Sequence, residues 1–344
     1  MIACPVPLPG YDRVVLGHGS GGRLGNELVQ RVFLPALGND VLAALEDQAT
    51  LPALGGRLAV TTDAFVVRPI FFPGGDIGSL AVHGTVNDLA VGGAIPRHLT
   101  AAFILEEGLI IADLERVVQS MAQACRACGV QVVAADTKVV ERGKGDQIYI
   151  TTTGVGVVPD GRALSVHAAQ PGDCVLLSGS LGDHGIAVLS CREGLDFETE
   201  LVSDSAPLID LVAALLAAAP RTRCMRDPTR GGLSSALHEI AAASGVGVEL
   251  DEAALPIRDE VRGACEMLGL DPLYVANEGK LVAIVPKPDV NAALAALRAH
   301  PQGQGAAIVG EVVSQPRGLV TMRSRIGGTR IVPLLAGEQL PRIC

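Results

Sequence analysis

A layered α/β or α+β fold in two domains is predicted by three observations. The chain has 344 residues, above the size at which one core usually stops growing. Hydrophobic residues make up 49% of it but aromatics only 3%, with no Trp. Such a core has to be built from Ala, Val, Leu and Ile, as packed α/β layers are. Finally, the order strand, Gly/Asp loop, helix recurs in both halves, without any short repeat period that would signal a solenoid.

Residues 1–40 form an N-terminal segment carrying the loop Gly17-His-Gly-Ser-Gly-Gly22 and a helix from about Leu24 to Leu37. An N-terminal domain, 41–160, opens with the alternating strand Arg57 to Asp63. After the loop Phe71-Phe-Pro-Gly-Gly75, Asp76 is the expected N-cap of a helix from Ile77 to Val91. A further helix begins near Asp113. A strand from Val130 to Ala135 is expected to end in Asp136-Thr137-Lys138, and another runs from Gln147 to Val158. The turn-rich segment Pro159 to Gly172 reads as a linker. A C-terminal α/β domain, 161–332, then starts with the strand Asp173 to Ser178 and runs through Gly179-Ser-Leu-Gly-Asp-His-Gly185 into a short helix. Ser205 and Pro207 mark the start of a helix to Ala219. Asp227-Pro-Thr-Arg-Gly-Gly232 leads into a helix with Leu233, Ala236, Leu237 and Ile240 on its core face. Strands are expected at Val246–Leu250, Leu281–Val285 and Ala306–Val313. Residues 333–344 form a tail that Pro341 keeps out of helix and that ends in Cys344.

A net charge of −10 argues against a nucleic-acid or anionic-membrane binder. The greasiest helix candidate, Leu208 to Ala219, is too short to span a bilayer. No secretory signal is seen at Met1 to Gly10, so a reducing cytoplasm is expected. Cys125 and Cys128 form the one C-x-x-C, but they continue the stripe Leu114, Val117, Val118, Met121 and read as core rather than ligands. His18, His83, His184 and His238 show no metal spacing, and His238 is assigned to an exposed helix face.

Chemistry is suggested by acids beside glycines. Asp63 and Asp136 are placed at strand ends, Asp88 in Val86-Asn-Asp-Leu89, Asp227 before a Gly-rich helix start, and Asp47 in a turn. Carboxylates so placed either cap turns and helices or converge on a hard divalent cation with oxygen ligands. Gly17 to Gly22, with Gly19, Ser20 and Gly21 at its centre, Gly74 to Gly78 and Arg230 to Gly232 are loops whose backbone could approach phosphates. Neither a Walker A motif nor a G-x-G-x-x-G after a strand occurs, which excludes the common nucleotide folds. Lys138 follows Asp136-Thr137, and Glu278 lies in Ala276-Asn-Glu-Gly-Lys280 before a buried-looking strand. Each is either a surface ion-pair partner or part of a site. An exposed Cys344 would be prone to oxidation.

Thr61-Thr-Asp-Ala-Phe-Val-Val67, Phe71-Phe-Pro-Gly-Gly-Asp-Ile-Gly78, Gly84-Thr-Val-Asn-Asp-Leu-Ala90, Ala135-Asp-Thr-Lys-Val-Val-Glu141, Asp227-Pro-Thr-Arg-Gly-Gly232, Asn277-Glu-Gly-Lys280 and Pro341-Arg-Ile-Cys344 together resemble the HypE family. These are the carbamoyl dehydratases of [NiFe]-hydrogenase maturation, which share the aminoimidazole ribotide synthetase-like fold. The resemblance implies a homodimer whose N-terminal domains pair into a β-barrel-like interface, with ATP beside it and a mobile tail. It further implies ATP and Mg2+ bound through Gly19, Ser20, Gly21, Asp47, Asp63, Asp88, Asp136, Thr137 and Asp227, with metal contacts from Asp63, Asp88 and Asp227. Cys344 would be the modified thiol, and Lys138 and Glu278 would handle protons near it. HypF would supply the carbamoyl group, and the HypC–HypD complex would accept the cyanide. Two other readings compete: a small-molecule kinase or synthetase of the same superfamily, indifferent to Cys344, and a nucleotide-dependent scaffold without chemistry.

Overall fold

Helix α3, Ile77–Val91, is the element against which both halves of the chain pack in the computed structural model, which describes residues 11–194, 201–335 and 342–344. Its start is set by Asp76, whose carboxylate accepts the amides of Gly78 (2.7 Å) and Ser79 (3.1 Å), while the Ser79 hydroxyl donates back to the Asp76 carbonyl. That satisfies amides a helix N-terminus leaves unpaired. The helix is apolar on nearly every side, as a helix enclosed on all faces must be.

Before α3 come α1 (Arg23–Leu28) and α2 (Leu34–Leu37), joined by a π-helical turn, then β1 (Arg57–Phe65), β2 (Phe71–Phe72) and β3 (Gly75–Asp76). After it come β4 (Ile95–Glu106), α4 (Ile111–Cys128), β5 (Gln131–Val140) and β6 (Ile148–Val158). One sheet has the order β1-β6-β4-β5, with β4 and β5 parallel and the other pairs antiparallel. Helices α3 and α4 cover one of its faces. The other face is open and carries Leu58 (61% exposed) and Val60 (66% exposed) on β1 and the exposed Ile104 on β4.

The C-terminal half contains β7 (Cys174–Leu177), α5 (Asp183–Glu193), α6 (Ile209–Ala218), β8 (Cys224–Arg226), α7 (Gly232–Ser244) and β9 (Gly247–Asp251). It continues with α8 (Asp259–Leu268), β10 (Val282–Val285), α9 (Val290–Ala299), β11 (Ala307–Val313), β12 (Val320–Arg323) and β13 (Thr329–Val332). Its sheet runs β13-β12-β9-β11-β7-β10-β8. Strands β7 and β10 are buried at every residue, because α7 covers one face of the sheet and α6 and α9 the other. Leu233, Ala236, Leu237 and Ile240 point into the core from α7 as their spacing requires.

Several expectations need correction. Strand β5 does not end at Asp136-Thr137-Lys138 but carries them in its second half, and β1 runs two residues past Asp63. Strand β4, the longest in its sheet, was not foreseen: bulges after Pro96 and after Leu99 break the alternation that marks a strand. Helix α6 starts only at Ile209, with the amide of its N-cap residue Leu208 held by Asn87 Oδ1 (2.8 Å). His238 is buried, its Nδ1 bonded to the Ser234 carbonyl (2.8 Å), rather than exposed. Cys125 and Cys128 lie in the core face of α4, where burial pushes both thiols up to about 12 and leaves them inert. Among the described residues no helix is long and apolar enough to cross a membrane.

Candidate active site

Thr61 and Asp63 project from the helix-covered face of β1. The Thr61 hydroxyl donates to Asp88 Oδ2 of α3 (2.7 Å), and Asp227 follows β8. Burial, then repulsion from Asp88, raises the Asp63 carboxyl to about 6, although Arg230 pulls it back. The same two causes, with Asp63 added, raise Asp227 to about 7. A cleft of about 420 Å3 adjoins these acids, walled by Thr61, Asp88 and Gly92 on one side and Ser165, Cys224 and Arg226 on the other. That volume suits a small ligand.

Glu278 lies in the loop before β10 and is 2% exposed. Its backbone is fixed on both sides: Asp204 Oδ1 accepts its amide (3.0 Å), and Asn87 Nδ2 donates to its carbonyl (3.2 Å). A Cβ at the following Gly279 would sit 1.8 Å from the Asp204 carbonyl oxygen, so only glycine lets the two loops press together. The Cys344 thiol lies beside the Glu278 carboxyl. Burial, with Asp227, Asp204 and Asp63 adding to it, holds that carboxyl far above the usual carboxylate range. Its Oε1 has no hydrogen-bond partner among the described residues. The half-buried Cys344 is likewise held in its thiol form by burial and by Glu278, with Arg230 opposing.

The other predicted residues lie elsewhere. Asp136 pairs in register with the exposed Ala102, and Lys138 with Ile104, which puts both on the open face of the sheet. Asp63 pairs with Thr152, which is buried beneath α3. β1 and β5 are opposite edges, three strand spacings or about 14 Å apart. Within one protomer Lys138 therefore does not share a face with Glu278 and Cys344. Its ammonium is held by Asp136 Oδ2 (2.5 Å), and that bond lowers the Asp136 carboxyl. Gly19 lies against β5, where a Cβ would meet the Val139 amide at 2.7 Å, and Ser20 and Gly21 beside it are exposed. Asp47 sits in an exposed turn just past Leu42–Ala44, which contacts β5.

Four residues at the site escaped sequence reasoning. Asn87 and Arg230 lie inside motifs that were noticed for their neighbours. His184 has no metal spacing in the sequence, and Asp204 gives no signal beyond a turn. Among the described residues no three His, Cys, Asp or Glu side chains converge tightly enough to hold a metal alone. The all-carboxylate donor set of Asp63, Asp88 and Asp227, crowded into mutual repulsion, fits a hard cation that keeps water and phosphate oxygens as ligands.

Residues 45–158 match the N-terminal domain, and 170–323 the C-terminal domain, of AIR synthase related proteins. The chain thus belongs to that class of two-domain proteins. Carbamoyl dehydratase HypE of Cupriavidus necator is 58% identical over 334 residues, covering 96% of this chain and 95% of that one. A crystal structure of hydrogenase maturation protein HypE in complex with ATP superposes with a TM-score of 0.92 at 50% identity, covering 96% and 99% of the two chains. HypE in a HypE–HypF complex superposes at 0.79 with 46% identity, over 91% and 100%. Within its class, the chain is a member of the HypE carbamoyl dehydratase family.

Proposed function

We propose that this protein uses ATP to dehydrate an S-carbamoyl group on its own Cys344 to a thiocyanate, the cyanide source for the iron of [NiFe]-hydrogenase. One observation carries the reading: the terminal thiol lies beside a buried glutamic acid whose Oε1 has no hydrogen-bond partner among the described residues, and both groups feel the charge of Asp63. HypF places the carbamoyl group and the HypC–HypD complex takes the cyanide. The described cysteines are all free, which agrees with a cytoplasmic protein.

Hydroxide is a poor leaving group, so the carbamoyl oxygen must first become a phosphate ester, taking the γ-phosphoryl group of ATP. Loss of phosphate then breaks the C–O bond as both protons leave nitrogen, giving S–C≡N, ADP and phosphate. Glu278, once ionised, offers an amide proton an oxygen that has no partner among the described residues, and burial raises its affinity for that proton. Asn87 and Asp204 hold its backbone in place. Thr61 orients Asp88, and Asp63, Asp88 and Asp227 would hold Mg2+. Bound there, the ion would offset charge on the transferred phosphoryl group.

Lys138, Asp136, Thr137, Asp47 and the loop at Gly19, Ser20 and Gly21 complete this site from across a homodimer interface. The exposed aliphatic face of the N-terminal sheet supports such pairing. Two sheets closing face to face bring β5 of one protomer towards β1 of the other. Cys344→Ala tests the reading: it should bind ATP normally, yet release no phosphate when mixed with the carbamoyl donor system. Phosphate release at the wild-type rate would instead favour a free small-molecule substrate.

A further inference from the structure

The last three residues are held by contacts that no part of the dehydration chemistry requires. The Arg342 carbonyl accepts the Arg68 amide (3.2 Å) and Arg192 Nη2 (2.6 Å), and the Arg342 guanidinium pairs with Asp146, which also binds Arg68 Nη1 (3.3 Å). Ile343 is 3% exposed within the main apolar core. Its carbonyl accepts a hydrogen bond from His184 Nε2 (2.9 Å). His184 is fully buried, lies edge-on to Phe72 at 5.5 Å, and has Nδ1 2.7 Å from the Ser203 hydroxyl. Since a carbonyl can only accept, Nε2 carries the proton and Ser203 donates to Nδ1. Burial keeps the ring neutral. His184 and Arg192 are eight residues apart on α5, about two turns, and so share a face.

We propose that this face of α5, with Phe72, Arg68 and Asp146, is a peptide-recognition site for a C-terminal Arg-Ile-Cys segment, in which His184 is the positioning residue that sets the thiol on Glu278. The site reads two main-chain carbonyls, one aliphatic side chain and one cation. It therefore selects the tail by sequence while making no contact with the reacting sulfur. It has to release the segment as well, because the same thiol must leave to receive its carbamoyl group. This inference extends the proposed function, but its test does not depend on it.

The test is the rate at which iodoacetamide alkylates Cys344 in the intact protein, followed by mass spectrometry of the C-terminal peptide, with ATP affinity measured alongside. His184→Leu leaves the buried Ile343 carbonyl unpaired and should speed labelling about tenfold. His184→Gln, whose amide can donate in place of Nε2, should stay within about threefold of wild type. Rescue by Gln separates a positioning role from a merely structural one. Should His184→Leu fail to bind ATP, Ile343→Asp alters only the tail and places a charge in the apolar pocket. It should speed labelling on the order of a hundredfold. Wild-type labelling rates in His184→Leu with ATP affinity intact, or in Ile343→Asp, would overturn the proposal. Faster labelling in a protein that never makes thiocyanate would leave the site standing and remove the proposed function instead.

Discussion

Glu278 and Lys138 are the two groups given proton-handling roles, yet their surroundings are opposite. Glu278 is 2% exposed, its backbone is fixed on both sides, and one carboxyl oxygen has no hydrogen-bond partner among the described residues. The Lys138 side chain is 64% exposed, and its ammonium is bound by Asp136. The same contrast separates their neighbours. Asp63 and Asp227 are pushed up by burial and by the Asp88 charge, whereas Asp136 is pulled down by its lysine. Around Glu278 the chain gathers buried acids whose charges disfavour one another. Asp136 and Lys138 are ordinary surface groups on the opposite face and the far edge of the sheet. This separation is what the proposed homodimer would resolve, by bringing Lys138 of one chain to Glu278 of the other.

The most drastic way to break that contrast is Glu278→Gln, which keeps the shape but removes the base. Dehydration should slow by about 10²- to 10⁴-fold with ATP binding retained, as read by conversion of carbamoylated Cys344. Mixed dimers sharpen the comparison further. A dimer with Glu278→Gln in one protomer and Lys138→Ala in the other keeps one intact site if the halves meet across the interface. It should show roughly half of wild-type activity, while either homodimer is nearly inactive. Were both residues to act within one protomer, the mixed dimer would be as inactive as the homodimers.

Smaller effects probe the buried acids alone. Thr61→Val removes the bond that orients Asp88 and should weaken ATP binding about fivefold in a titration. The raised carboxyls at about 6 and about 7 bind protons in the folded chain that the unfolded chain has already lost. Stability without ligand should accordingly fall as pH rises from about 4 to about 7. Asp63→Asn should flatten that slope and raise the melting temperature near pH 7.5 by about 2–4 °C, for a gain of about 1 kcal/mol. The same substitution should abolish the further rise given by MgATP.

Much of the fold is legible in the sequence. Asp76 capping α3, the apolar face of α7 and the core placement of Cys125 and Cys128 follow from local spacing, which helices advertise over three or four residues. Gly/Asp loops and the terminal motif single out Asp63, Asp88, Asp136, Asp227 and Cys344. Their division between two faces was not legible, because it depends on strand order and register, and β4, the strand that sets both, hides its alternation behind two bulges. His184 and Asp204 were invisible for a related reason: each acts through a neighbour more than a hundred residues or some seventy residues away in sequence.

The central claim is that Cys344 is both part of the machinery and its substrate. Intact-mass analysis of the C-terminal peptide, after incubation with the carbamoyl donor system and MgATP, tests it most directly. The account predicts a carbamoyl adduct on Cys344 that loses the mass of one water only when ATP is present. A carbamoyl adduct that persists unchanged while ATP is consumed would contradict it.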